Sequence, residues 1–390
     1  MKHRFSRIFS FVTGLLLVAT TVFAQPGGNQ QRENFPDISY SAALSRSVEC
    51  DCMKQILAMP EFQEFFNVAT AKIDSEAAKM RYQLFMFLPV IDQVLDKVRD
   101  AKGKKDISSK DVIELVFTEF ELVQFEAFIK KAYDEGAIKP GQGNPDVIKY
   151  LRLTAVTKFC PAELAGVLDF FKQFLTVTID GDEDDFFVSI KDPSKADTTL
   201  FIGGQKLKGR SDYAVVIGFN RDLIEQKLTL MQNERFRGFL LGGDNAPIET
   251  IRIGRGVFDV LQADIQRKIV TGTANPGDKD FLGIVEQVNS FSMITRDAAG
   301  KTGTVIRLAL TNEDTAEGLK EMANGGKAML RFVAASATMD ADTKKLINFL
   351  LDTEIVRDGT TLSATINWSN EAFLQLLKDG FKKGVTEIKK

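Results

Sequence analysis

Histidine, the side chain most used as general base near neutral pH and as transition-metal ligand, occurs once in 390 residues, as His3. It lies in a segment that reads as a secretory signal. Lys2, Arg4 and Arg7 give a basic start, Ile8 to Val22 an apolar run, and Val22-Phe23-Ala24 a small-residue cleavage site. The expected mature chain, from about Gln25, holds no histidine. Carboxylates, thiols and lysines are left to do any chemistry. Asp180, Asp182, Asp184 and Asp185 form an acidic cluster, but its spacing misses a calcium loop. Gly181 is second instead of sixth, and Lys191 stands where a twelfth-position glutamate belongs. The cluster reads as a solvated hairpin tip. Paired carboxylates for glycoside hydrolysis depend on a tertiary separation, and 53 acidic residues single out no pair.

Three cysteines remain: Cys50, Cys52 and Cys160. Leu44, Val48, Cys52 and Ile56 follow one another at i+4, so Cys52 faces a core while Cys50 points elsewhere. Cys160 precedes Pro161 at a helix start. Export permits a bridge. Cys52–Cys160 is then the pairing with Cys50 as the free thiol, and buried unbridged thiols are the alternative. A lone C-x-C without histidine does not specify a metal site.

Two short motifs resemble pieces of larger ones. Ala299-Gly300-Lys301-Thr302 is similar to the end of a P-loop, but Thr295 stands where the first glycine belongs. The segment also joins two strands instead of leading into a helix. Lys301-Thr302-Gly303 resembles one element of the serine penicillin-binding and β-lactamase families, and Ser211-Asp212-Tyr213 only part of another. Their nucleophile lies in S-x-x-K, and no serine here has lysine three residues on. No catalytic, cofactor-binding or metal-binding residue is therefore assigned, and no cofactor is expected. Asn367-Trp368-Ser369 matches a glycosylation sequon at a strand–helix junction. Lys382-Lys383 and Lys389-Lys390 put positive charge at a helix end and tail.

Composition narrows the function classes. Signal cleavage takes the net charge from −3 to −6 (50 basic against 53 acidic residues before, 47 against 53 after). That is no footprint for nucleic acid. Hydrophobic residues at 44% with 26% charged are globular values. The apolar run Leu84 to Leu95 is broken by Pro89, Asp92 and Gln93, so no transmembrane segment is expected after cleavage. Phe outnumbers Tyr 31 to 5, with one Trp. Such rings fill cores or greasy cavities better than they stack on sugars.

The elements predict an α+β fold: a helical N-terminal region, then antiparallel sheets with helices packed on one face, including a C-terminal tandem ββα repeat. The expected boundaries are 1–24 signal, 25–37 flexible lead-in, 38–172 helical, 173–283 α+β, 284–384 tandem ββα and 385–390 tail. Within the helical region, Met80 to Val98 carries a helical period. Ser109 starts a helix running towards Tyr133, and another follows Cys160 to about Leu175. Strands are expected at Phe174–Ile179, Phe186–Ile190, Thr199–Ile202, Tyr213–Phe219 and Ile248–Ile253, with Asn220 capping a helix to Met231. Val285–Arg296 and Thr304–Leu310 lead through Asn312 into a helix. Thr353–Arg357 and Thr361–Trp368, around an Asp358-Gly359 turn, lead through Asn370 into another. This order resembles a broad group of uncharacterised exported bacterial proteins with tandem strand–strand–helix units, a resemblance that implies fold and no activity.

The reading is an exported, periplasmic or extracellular, non-enzymatic protein that binds a protein or cell-envelope component. The alternatives are a carrier of an apolar ligand such as lipid, and a histidine-independent hydrolase.

Overall fold

The computed structural model describes residues 36–83, 103, 106, 108–139, 145–158, 172, 175–182, 184–191, 199–241, 246–275, 277–298, 301–334, 351, 353–367 and 371–389. The chain runs β1 (Ile38–Ala42), α1 (Leu44–Glu49), α2 (Asp51–Ala58), α3 (Pro60–Gln83), α4 (Ser109–Glu119), β2 (Phe120–Ala127) and α5 (Ile129–Asp134). After a 3-10 turn (Pro145–Tyr150) come β3 (Leu151–Thr157), β4 (Thr176–Gly181), β5 (Asp185–Lys191), β6 (Thr199–Lys206), β7 (Tyr213–Gly218), α6 (Arg221–Gln232) and α7 (Glu234–Leu241). The rest is β8 (Glu249–Gly254), α8 (Arg255–Val270), α9 (Asp278–Val285), β9 (Val288–Ala298), β10 (Lys301–Leu310), α10 (Glu313–Ala334), β11 (Ile355–Asp358), β12 (Thr361–Asn367) and α11 (Glu371–Lys389). The class is α+β, as the sequence predicts.

The residues fall into two compact units. Unit 1 holds residues up to Ala42, Gln124–Leu151 and Asp244–Phe373, and unit 2 holds Ala43–Val123, Arg152–Gly243 and the chain from Leu374. In unit 1 the antiparallel strand order is β11-β12-β10-β9-β8-β1. One face is apolar: Leu308 lies level with Phe291 and Leu362. Phe258 of α8 and Leu319 of α10 pack against this side with Val288, Leu310 and Ala316. Asn312 accepts from the Thr315 N–H at 2.8 Å and so starts α10. Asn370, expected to start α11, lies outside the described residues. The Gly359-Thr360 pair turns β11 into β12, with Gly359 at φ 55° and Asp358 already paired with Thr361.

In unit 2 the order is β3-β7-β6-β5-β4. Helix α6 starts on Asn220, whose side chain accepts from Leu223 N–H at 3.3 Å. It seats Ile224 and Leu228 on Gly203, where a Cβ would come within 2.7 Å of Leu228 Cδ1. Val156, Ala214, Val216 and Met231 complete that core. Helix α11 packs on α3 through Phe381, which meets the Phe62 and Phe65 rings at 5.2 and 5.5 Å between centroids.

The expected helical region needs correction at three places, because 38–42, 120–127 and 151–157 are strands. Helix α4 starts at Ser109 as predicted, on a capping box of Ser108 and Asp111. It stops at Glu119. From Phe120 the chain reads apolar and polar residues at a mixed spacing that suits either state, and strand formation wins. The helical stretches expected at Met80 to Val98, beyond Gln83, and from Cys160 to residue 171 lie outside the described residues. Residues 255–270 and 278–284, unassigned in the sequence, form the α8–α9 pair together with Val285, which was expected to open a strand that instead starts at Val288.

Candidate functional site

The residues singled out by sequence serve the scaffold. Cys50 caps α2: its Sγ accepts from Met53 N–H at 3.4 Å and donates to Ser47 O at 3.1 Å. Cys52 is buried, and Cys160 lies outside the described residues. Lys301-Thr302-Gly303 opens β10, with Thr302 directly opposite Asp297 and hydrogen-bonded to it at 3.2 Å. That is a hairpin, not a phosphate loop. Asp212 of the Ser211-Asp212-Tyr213 element accepts from Arg210 Nε at 2.7 Å, and Arg210 also reaches Glu121 at 2.5 Å. Burial raises the Glu121 carboxyl pKa against the pull of Arg210.

At the acidic tip, Asp182 accepts from Asp184 and Asp185 N–H at 2.9 and 3.0 Å, and Asp184 pairs with Lys206 at 2.9 Å. These bonds make a turn. Among the described residues no group of three His, Cys, Asp or Glu is placed to hold a metal, and no helix is long and apolar enough to cross a membrane. Lys382 and Lys389 pair with Glu61 and Glu64 at 3.4 and 2.7 Å, while Trp368, Ser369 and Lys390 are outside the described residues. A cleft of about 210 Å³ in unit 2 is lined by Arg210, Glu234, Arg237, Gly238 and Leu241. The Arg237 donors are spent on the carbonyls of Met231, Gln232 and Lys208 at 3.0–3.1 Å.

The feature that looks outward is the α8–α9 pair of unit 1. Its inner seam is fixed by Arg255. Nη1 donates to the carbonyls of Val285, Glu286 and Val288 at 3.3, 3.0 and 2.7 Å, Nη2 to Gln262 at 3.1 Å, and Nε to Asp259 at 2.7 Å. The end of α9 is thereby clamped to the first half of α8. Val285 is buried in the seam, whereas Phe281 and Ile284 are 48% and 38% exposed and Val270, at the end of α8, is 85% exposed. Near this end Asp264 pairs with both Arg267 at 2.9 Å and Lys268 at 2.6 Å, so the trio keeps one positive charge. Those two partners hold the Asp264 carboxyl below the usual range, Lys268 most. The hairpin, clamped from behind by Arg255, therefore exposes apolar side chains at its surface, a feature that docking surfaces share.

No family model matches this chain, and no curated protein matches it. Among solved structures, crystal forms I, III and IV of TP0453 are 9%, 10% and 9% identical to it, with TM-scores of 0.31, 0.32 and 0.33. The likeness covers 88–89% of this chain and 93–94% of the other. Likeness at that level says nothing of activity, ligand or partner.

Two ionisable groups of unit 1 were not found by motif. Tyr40 on β1 hydrogen-bonds Glu249 on β8, and burial pushes the Glu249 carboxyl up to about 8, the Tyr40 bond opposing the rise. Burial, followed by the neighbouring Glu249, also raises the Tyr40 hydroxyl pKa. The sequence does carry the signal. Glu249 shares the strand parity of Ile251 and Ile253, which places a carboxyl on the apolar side of β8.

Proposed function

We propose that the protein is exported and acts in the bacterial cell envelope as a non-enzymatic binding protein, holding a protein or envelope component on the α8–α9 hairpin. The observation that carries this reading is the exposure of Val270, Phe281 and Ile284 on a hairpin clamped from behind by Arg255. Apolar side chains held rigid at a surface lose little conformational entropy when covered, so their burial goes into affinity. The N-terminal signal pattern supports export. A carrier of apolar ligand needs an enclosed greasy space; among the described residues the unit 2 cleft, lined by Arg210, Glu234 and Arg237 and of about 210 Å³, is not one.

The test uses the chain from Gln25 immobilised against a detergent extract of the source cell envelope. The wild type is expected to retain a saturable partner, and a Val270→Asp/Phe281→Asp variant to lose about tenfold or more in affinity with an unchanged melting temperature, two buried apolar contacts being forfeited. Equal retention by both chains, or a specific turnover by the purified wild type, overturns the reading.

A further inference from the structure

The face of the unit 1 sheet opposite α8 and α10 has a different character. Register sets Ser39 of β1 opposite Arg252 of β8, Arg252 opposite Ser292 of β9, Ser292 opposite Arg307 of β10, and Arg307 opposite Ser363 of β12. Residues in register share a face. A transverse row Ser-Arg-Ser-Arg-Ser therefore crosses five strands, on the side away from Leu308 and Leu362. Ser292 and its neighbour Ser290, two residues along the same face, are only 7% and 9% exposed.

Neither guanidinium makes an ion pair with a carboxylate among the described residues. The Arg252 Nε is buried and has no hydrogen-bond partner, and burial pushes the Arg252 pKa down, with only the charge of Asp37 acting against it. Asp37 itself is occupied: its Oδ2 accepts from Lys130 N–H at 2.7 Å. Within the described residues Arg307 makes no ion pair and stands exposed. Other arginines of unit 1 behave differently, Arg255 being satisfied by carbonyls and Arg357 pairing with Glu317 at 2.7 Å. An Nε–H taken out of water with no acceptor is costly, so this face lacks an acceptor at Arg252.

We propose that this face binds a phosphoryl group between Arg252 and Arg307, over the Ser292 hydroxyl. Strands two apart place the two arginine Cα atoms roughly 9–10 Å from each other, a span that two converging arginine side chains close around one small anion. A carboxylate has two oxygens and is saturated by a single guanidinium fork. Two forks from opposite sides with serine hydroxyls between them suit the three or more oxygens of a phosphoryl group. The site is separate from the α8–α9 hairpin and stands or falls independently of it.

The experiment titrates the mature chain with inorganic phosphate, with glycerol 3-phosphate, and with phosphatidylcholine vesicles with or without phosphatidic acid. Variants Arg252→Met, Arg307→Gln and, as a unit 2 charge control, Lys191→Gln are run alongside. Saturable binding is expected that weakens about tenfold or more in each arginine variant, as loss of a charge-assisted bond implies, and is unchanged in the control. Binding of the soluble phosphates assigns a free phosphomonoester. Binding of phosphatidic acid vesicles alone assigns a lipid headgroup. Without phosphate, Arg252→Met is expected to melt no lower than wild type, since it removes an unpaired buried charge. Arg307→Gln changes an exposed side chain and keeps the test open should Arg252→Met fold poorly. No binding of any probe, or binding equal in wild type and both arginine variants, overturns the proposal.

Discussion

Replacing Glu249 by glutamine is expected to make the protein more stable at pH 9 by about 3–5 kcal/mol while leaving it unchanged near pH 4. The Glu249 carboxyl titrates near 8 in the folded chain against 4.5 when unperturbed, because burial on the apolar side of β8 disfavours its charge. Below pH 4.5 both states hold the proton and the group is neutral to stability. Between 4.5 and 8 the unfolded chain releases the proton and the folded chain keeps it. Folding then costs about 1.4 kcal/mol more per pH unit, a cost that levels off above 8. Glutamine keeps a partner for Tyr40 and carries no charge, so the slope disappears. Urea midpoints of both chains from pH 4 to pH 9 check this. Parallel profiles would show that Glu249 is ionised in the fold.

Gly384→Leu is expected to destabilise unit 2 by about 3 kcal/mol or more by lifting α11 from α3, as overpacking of a tight contact does. A Cβ at 384 would lie 2.7 Å from Phe65 Cε2 and 2.8 Å from Cδ2. That ring cannot swing aside freely, because Phe381 packs against both Phe65 and Phe62. Helix propensity acts the other way, leucine being better than glycine by roughly 1 kcal/mol, and the steric effect wins. Adding Phe65→Ala opens the space, so the double variant is expected to lose less stability than the sum of the two single changes. Chemical unfolding of the two single variants and the double variant measures the coupling. Additive effects would mean that α11 does not dock through this notch.

Much of the scaffold could be read from residues alone. The Asn220 and Asn312 caps, the strands from β4 onward and the β9–β10–α10 unit follow from period and capping chemistry, which are local. The N-terminal strands could not be read this way. Ile38–Ala42 is five residues long, and Phe120–Ala127 follows a capped helix without a glycine or proline break. Such segments become strands through partners distant in sequence, as Tyr40 does opposite Ile251. The outward-facing residues were hidden for a related reason. Val270, Phe281 and Ile284 look like core until the Arg255 clamp fixes which side of α9 is covered. Arg252 and Arg307 are 55 positions apart and become neighbours only through the β8–β9–β10 register.

The claim that α8–α9 is a binding surface is tested most directly by a photo-crosslinking amino acid placed at position 281, with position 182 on the unit 2 hairpin as control. In envelope extract the probe at 281 is expected to give a discrete adduct that is competed away by unlabelled wild type and not by the Val270→Asp/Phe281→Asp chain. No adduct at 281, or the same adducts from 281 and 182, would contradict it.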